Sequence, residues 1–470
     1  MNETIIEHKN CEGSSSSSSN GIGSIKLSQE QENALQLFEK GKNIFLTGPG
    51  GSGKTELIKR FVDIANKQFK RIQVCALTGC AAVLLGCPGS KTIHSWAGIG
   101  IASAPFGSVV DRVVKNRFKS KAWNSVDVLV IDEVSMMSKK IFEILDSIGR
   151  RTRHNPTKPF GGIQIVLSGD FYQLPPVGDR DDEDTSAFCF ESEKWKEIFT
   201  KENVVQLKTI FRQTDTNYTK ILNQIRVGKL YKSSYELVMK RVGVKYPENG
   251  IKPTILLPRR RDVEQINTSE LEKLTGEVFT YNLSIVNDVV PSKKKKKSGV
   301  NGCGSGSGSD NDDIKTEIEI SQLRASIIAD DKLVLKVGTQ VMCIANIDVD
   351  GALPIVNGSQ GVVVEMVNGF PKVKFLNGLV KVFGYHSWTT ENVEGISIKQ
   401  IPLIHSWAIT IHKAQGVTLE LAEIDAGSNI FECGQTYVAL SRVKSLDGLY
   451  LSAFNPQKIK VNEKVQKFYA

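Results

Sequence analysis

The residues with the clearest chemistry lie between Gly48 and Thr55: Gly48, Pro49, Gly50, Gly51, Ser52, Gly53, Lys54 and Thr55. They follow the pattern G-x-x-x-x-G-K-[ST], preceded by the apolar run Ile44 to Leu46 and followed by a helical stretch from Glu56 to Lys67. In that setting the glycines let backbone N–H groups wrap phosphates, Lys54 reaches the β- and γ-phosphates, and Thr55 can ligate Mg²⁺. The anion would also sit at a helix N-terminus, where unpaired N–H groups and the dipole favour it. A nucleoside triphosphate, ATP with Mg²⁺, is the expected ligand. A second acidic element should complete the site. Asp132-Glu133 ends the apolar run Val126 to Ile131, so Asp132 is assigned to the metal and Glu133 to orienting or deprotonating a water for in-line attack. Gln173 could sense the γ-phosphate, and Arg212 and Arg442 are candidates for arginine fingers.

These groups need elements to position them. Ile44 to Leu46, Ile72 to Thr78, Val126 to Ile131 and Ile163 to Leu167 are short apolar runs alternating with helical segments. Such runs read as buried strands of an α/β, doubly wound parallel sheet. Each ends in a polar signature, at the edge where such sheets hold ligands. Val204 to Leu207 reads as a further strand, and a helix capped by Ser28 precedes the first. Thr254 to Leu257 opens a second α/β region, which resumes at Leu403 and runs to about Phe454. Between them, short β-type runs separated by Asn357-Gly358, Asn368-Gly369 and Asn377-Gly378 suggest a small inserted barrel. Residues 1–24, with a serine run, and the Lys/Gly/Ser-rich segment 291–313 read as disordered.

Composition bounds the function class loosely. At 470 residues the chain implies more than one domain, and 40% hydrophobic with 24% charged residues is a globular balance. Much of the net charge of +9 sits in Lys293 to Lys297, so overall basicity is weak evidence for a nucleic-acid partner. The cysteines form no C-x-x-C pair, which reads as reduced thiols, with a metal set at Cys75, Cys80, Cys87 and His94 the disfavoured alternative. No apolar run approaches the ~20 residues of a membrane span, so no membrane partner is expected.

Several blocks together resemble the Pif-type (petite integration frequency) DNA helicases, RecD-related members of the 5′-to-3′ branch of superfamily 1. They are Gly48 to Thr55, Asp132 to Met136, Phe160 to Gln164, Gly169 to Val177, Phe211-Arg212-Gln213, His405 to Gly416 and Tyr437 to Arg442, in the family's order. Ser135 to Phe160 is similar to the family's signature segment. The resemblance implies two RecA-like P-loop domains, 25–220 and 221–470. It also implies a wedge insertion at about 97–120 in the first, and an SH3-like β-barrel at about 330–400 in the second. It implies an adenine contact for Gln31 and a coupling role beside the nucleotide for Gln415. By the same resemblance, single-stranded DNA would be met by Thr78, Gly79, His94, Trp96, Phe171, Tyr172, His405, Trp407, Thr410, His412 and Lys413. The expected function is an ATP-dependent, monomeric helicase acting 5′-to-3′ on single-stranded and forked or structured DNA in genome maintenance. The alternative is an ATP-dependent DNA-binding or remodelling protein without productive unwinding. Pro291-Ser292 before Lys293 to Lys297 resembles a nuclear localisation signal; a mitochondrial location is the alternative.

Overall fold

The computed structural model describes residues 27–470 apart from 101, 103, 180, 214, 247–250, 288–316, 318, 319, 322, 325, 326, 348–354 and 390–394. The serine-rich tail and Lys293 to Lys297 lie outside the described residues. In the first domain the chain runs α1 (Gln29–Glu39), β1 (Ile44–Thr47), α2 (Lys54–Lys67), β2 (Ile72–Ala76), α3 (Gly79–Leu84), β3 (Lys91–Thr92) and α4 (Ile93–Ala97). It continues through α5 (Phe106–Lys115), α6 (Arg117–Ser125), β4 (Val128–Asp132), α7 (Lys139–Thr152), β5 (Gln164–Gly169), α8 (Glu193–Ile198) and β6 (Val204–Gln206).

The six strands form one parallel sheet in the order β3-β2-β4-β5-β1-β6. Alternate residues of the same strands enter two different cores. Phe45, Leu129, Ile131, Ile165 and Leu167 join one, and Ile44, Leu46, Val128, Val130 and Val166 join the other. Because successive side chains point to opposite faces, a strand covered on both sides must be apolar throughout. That is the physical origin of the unbroken apolar runs in the sequence. It also brings Thr47, Asp132 and Gly169 to one edge of the sheet.

The segment expected as a wedge is two helices, α5 and α6, the second reaching Ser125 and so beyond residue 120. They bury Val109, Val110, Val113 and Trp123 in the first-domain core. Asn116 separates them and caps α6, accepting from the N–H groups of Phe118 and Lys119. The helices are tied down by polar contacts: Arg112 donates to Ile99 O at 2.8 Å, and Arg151 pairs with Asp111 at 2.6 Å.

The boundary expected at residue 220 falls inside a helix. α9 (Thr216–Arg226) buries Tyr218, Ile221, Leu222 and Ile225 in the second core, so the second domain begins before it. α10 (Lys232–Met239), β7 (Thr254–Leu257) and α11 (Arg260–Lys273) follow. The inserted β region comprises β8 (Phe279–Asn282), β9 (Ser284–Asn287), β10 (Lys332–Leu335), β11 (Gln340–Cys343), β12 (Gln360–Val367), β13 (Phe370–Phe375), β14 (Val380–Val382), β15 (His386–Thr389), β16 (Ile396–Gln400) and β17 (Leu403–His405). β8 pairs with β10 and β9 with β16. The insertion therefore begins near residue 279 rather than 330, and the low-complexity segment lies inside it. Phe279 and Tyr281 pack with Leu333, Leu335 and Phe375, a long-range contact that local pattern does not reveal. Asn368 and Gly369, both at positive φ (51° and 80°), make the tight turn between β12 and β13, as an Asn-Gly hairpin requires.

After the insertion come β18 (Ala408–Thr410), β19 (Ala422–Ala426), α12 (Gln435–Leu440), β20 (Leu449–Phe454) and α13 (Glu463–Tyr469). A parallel sheet of order β18-β7-β19-β20 carries the second domain. The expected second domain ran to residue 470. α13 instead returns to the first, where Val465, Phe468 and Tyr469 join its core. No described helix is long and apolar enough to cross a membrane.

Candidate nucleotide cleft and nucleic-acid interface

The loop after β1 bends over a cavity of about 490 Å³ walled by both domains. Gly51 (φ +80°) and Gly53 (φ +85°) hold left-handed backbone, and a Cβ at Gly51 would stand 2.4 Å from Arg212 Cβ. Only glycine satisfies both the dihedrals and the close approach. Gly53 starts α2, whose first N–H groups face the loop. Lys54 Nζ donates to Gly48 O (2.8 Å) and Pro49 O (3.0 Å), while burial presses its pKa below the usual lysine range, opposed first by Asp170 and then by Glu133 and Asp132. A part-buried ammonium whose hydrogen bonds among the described residues go to neutral carbonyls fits an anion in this cavity.

At the end of β4, burial and then the adjacent Glu133 push the Asp132 carboxyl up to about 6. A cation is the partner that would stabilise its ionised form. Glu133 sits in left-handed backbone (φ 56°), uncommon for a non-glycine residue, and Gln415 Nε2 donates to its Oε2 at 3.0 Å. Gln415 therefore reaches the site through Glu133; Gly416, not Gln415, lines the cavity. Gln173 lines it too, buried, with an Oε1 that has no hydrogen-bond partner among the described residues. Thr55 and Asp132 both line the cavity, so the residues present fit Mg²⁺ beside the phosphates.

Both arginines reach the same cavity. Arg212 donates to Ser441 O and Gly416 O, each at 3.5 Å. Arg442 donates to Val438 O (2.9 Å) and Ser441 Oγ (2.7 Å). Burial, and next the neighbouring Arg212, push the Arg442 guanidinium down to about 9. Two neighbouring like charges, Arg442 buried and Arg212 partly so, with no carboxylate hydrogen-bonded to either among the described residues, are an anion site in electrostatic terms. The second domain already touches the P-loop: Gly50 N–H donates to Tyr437 Oη at 2.9 Å.

At the far end, Gln31 Oε1 accepts from Ser28 N–H in a capping box, which turns its Nε2 to within 2.9 Å of where a Gly53 Cβ would stand. Phe211 lines the same end, half-exposed, 3.6 Å from that point. A flat ring beside a side-chain amide suits a nucleobase.

The residues expected at DNA divide. Phe171 is in the core, surrounded by Phe45, Phe188, Phe190 and Trp195. Trp96 is buried against Trp123 at 4.7 Å. Trp407 is likewise buried, and Tyr172 stacks on Tyr469 rather than presenting a free face. His405 Nε2 is engaged with Val334 O at 2.7 Å. These side chains are structural in this arrangement, because an aromatic beside a buried sheet gains more by packing than by exposure. Thr410 is buried and caps Lys413 N–H. Thr78, Gly79, His94, His412 and Lys413 remain partly or fully accessible. The two blocks adjoin across the domains, with Cys80 Sγ 3.9 Å from Lys413 O. Burial lowers the pKa of His94 and His412, which favours neutral rings and leaves Lys413 to supply charge. Among the described residues no group of three or more His, Cys, Asp or Glu could hold a metal, and Cys75, Cys80, Cys87 and His94 are not gathered into one.

The model of the PIF1-like helicase family matches residues 26–235, and that of the 2B domain of DNA helicase Pif1 matches 320–366. The crystal structure of Pif1 helicase from Candida albicans is 33% identical, with a TM-score of 0.71 over 95% of this chain and 99% of that one. The chain belongs to the PIF1-like helicase family. The structure of Bacteroides sp Pif1 in complex with ADP-AlF4 is 28% identical, with a TM-score of 0.74 over 95% and 96% of the two chains. The ATP-dependent DNA helicase PIF1 of Danio rerio is 36% identical over 449 residues, 94% of this chain. The chain spans 64% of that relative's length.

Within this PIF1-like cleft two residues have roles that the sequence did not assign. Tyr437 belongs to a recognisable block, yet only the fold shows its hydroxyl at Gly50. Phe211 adjoins Arg212, and its position beside Gln31 depends on the Phe211 N–H to Gly51 O bond of 2.8 Å. Phe211→Ala is expected to raise the KM for ATP about tenfold with kcat changed far less, as the loss of one base-stacking ring implies. Steady-state kinetics against ATP concentration would check it.

Proposed function

We propose that this chain is an ATP-driven motor that translocates 5′-to-3′ on single-stranded DNA and separates duplex ahead of it. The observation that carries the reading is the split cleft. The P-loop, Asp132, Glu133 and Gln173 come from one domain, while Arg442 and the glutamine on Glu133 come from the other. Hydrolysis in such a cleft is sensitive to how the domains close, and domain closure is what moves a strand bound across both. Lys54, Arg212 and Arg442 would hold and neutralise the phosphates, and Glu133 would orient the attacking water. Thr55 and Asp132 would hold Mg²⁺, which would supply positive charge against the phosphates. The helicase activity named for the Danio rerio relative supports this reading.

Forked DNA with a single-stranded tail of one polarity tests it. Unwinding is expected from a 5′ tail only, and Lys54→Ala should abolish it. ATP hydrolysis indifferent to single-stranded DNA would defeat the motor reading, and DNA-stimulated hydrolysis without strand separation would favour an ATP-dependent binding protein.

A pH dependence follows from Asp132. Its pKa is raised to about 6, so the neutral acid dominates below that pH and must lose a proton to take a cation. Mg²⁺ affinity, read from the Mg²⁺ dependence of nucleotide binding, is expected to fall about tenfold from pH 7 to pH 5. The run Lys293 to Lys297 supports a nuclear location; its deletion should leave a tagged chain outside the nucleus, and mitochondrial accumulation would refute that assignment.

A further inference from the structure

α13 is second-domain chain by sequence, yet its apolar side is spent on the first domain. Phe468 lies 4.4 Å from Phe190 and 5.3 Å from Phe171 between ring centroids. The next residue, Tyr469, makes polar contacts that packing alone does not require. Its Oη accepts from Phe171 N–H at 3.3 Å and lies 2.7 Å from Thr47 Oγ1. Thr47 immediately precedes the P-loop, and Phe171 stands two residues before Gln173. One hydroxyl thus joins the roots of the two loops that face the phosphates.

The contact extends to the second domain. The Tyr469 ring stacks on Tyr172 (5.0 Å, 13° between planes), and the Arg226 guanidinium lies 4.5 Å over Tyr172 and 5.7 Å from Tyr469. Arg226 forks onto Asp170 with both bonds at 2.8 Å. Tyr437 Oη, which accepts from Gly50 N–H, stands 3.4 Å from Asp170 Oδ2. The path therefore runs from Thr47 at the root of the P-loop to Gly50 at its crest. On the way it visits α13, α9 and α12; Thr47, Asp170, Arg226 and Tyr437 are buried and Tyr172 and Tyr469 partly so, and away from water hydrogen bonds are strong and hard to replace.

We propose that Tyr469 is a positioning residue for nucleotide turnover: its hydroxyl locks the root of the P-loop to the Gln173 loop, so that closure of the second domain through Arg226 and Tyr437 moves both loops as one. The inference rests on the ATPase reading above. Catalysis tolerates little misplacement of phosphate-facing groups, so the hydroxyl should act on kcat more than on binding.

Tyr469→Phe keeps the stacked ring and removes the hydroxyl; Thr47→Val keeps the shape of its partner; Thr47→Ser keeps the hydroxyl. DNA-stimulated kcat is expected to fall about tenfold in Tyr469→Phe and in Thr47→Val, with no further loss in the double variant. KM for ATP should stay within about twofold, and Thr47→Ser should retain wild-type kcat. Phe468→Leu, a packing change one residue away, should lower Tm and spare kcat. Wild-type kcat in Tyr469→Phe, additive losses in the double variant, or an equal kcat loss in Phe468→Leu would each overturn the proposal. A wild-type chain that hydrolyses no ATP with or without DNA would instead defeat the ATPase reading, so the two failures are separable.

Discussion

Arg442→Ala is expected to lower DNA-stimulated ATP turnover by about 10³–10⁵, the range over which an arginine placed on the transferring phosphoryl acts. Arg442 is 2% exposed, lines the nucleotide cavity and has Arg212 as a neighbouring like charge. Two neighbouring guanidiniums, one buried and one part-buried, disfavour each other until an anion arrives, so charge developing on the γ-phosphate would meet a field already in place. Arg442→Lys should recover little of the loss, because an ammonium lacks the planar fork that Val438 O and Ser441 Oγ now hold in position. Single-turnover hydrolysis at saturating nucleotide and single-stranded DNA measures the step directly. A decrease smaller than about tenfold would remove Arg442 from the reaction.

The second large effect is on stability. Asp170 immediately follows β5 in the first domain, and Arg226 ends α9, which is built into the second core. Their side chains are 0% and 8% exposed, joined by two bonds of 2.8 Å. Removing one partner strands the other charge away from water. Asp170→Asn is therefore expected to cost about 3–5 kcal/mol in urea unfolding. The double variant Asp170→Asn, Arg226→Met should recover much of it, since a buried pair replaced as a unit loses far less than one that is broken. A single-variant loss below about 1 kcal/mol, the range of exposed pairs, would show that water reaches the site.

Much of the cleft was legible in the chain itself, for a local reason. The pattern of Gly48 to Thr55 concerns mainly their own backbone and the helix that follows, so it is written in consecutive residues. The apolar runs of β1, β4 and β5 had to be continuous because both faces are covered, and their polar ends had to meet at one edge. Aromatic residues were less legible. Trp96, Phe171 and Trp407 stand in motif blocks that suggest DNA, yet all three are buried. A ring's role depends on what packs against it, and Trp123 or Trp195 is remote in sequence from the ring it meets.

The extent of the β insertion shows the same division. Its Asn-Gly turns announced β12 to β14, whose hairpins are local, while β8 and β9 pair across the low-complexity segment and were missed. Sequence alone pointed to a phosphate-holding pattern at Gly48 to Thr55, and to two parallel sheets with a smaller β region inserted in the second. Tertiary structure alone decided that the Tyr437 hydroxyl reaches across to the P-loop, that Gln415 contacts the site through Glu133, and that the last helix leaves its own domain to meet Thr47. Those contacts join residues hundreds of positions apart, and their chemistry exists only when packing of two cores brings polar atoms together away from water.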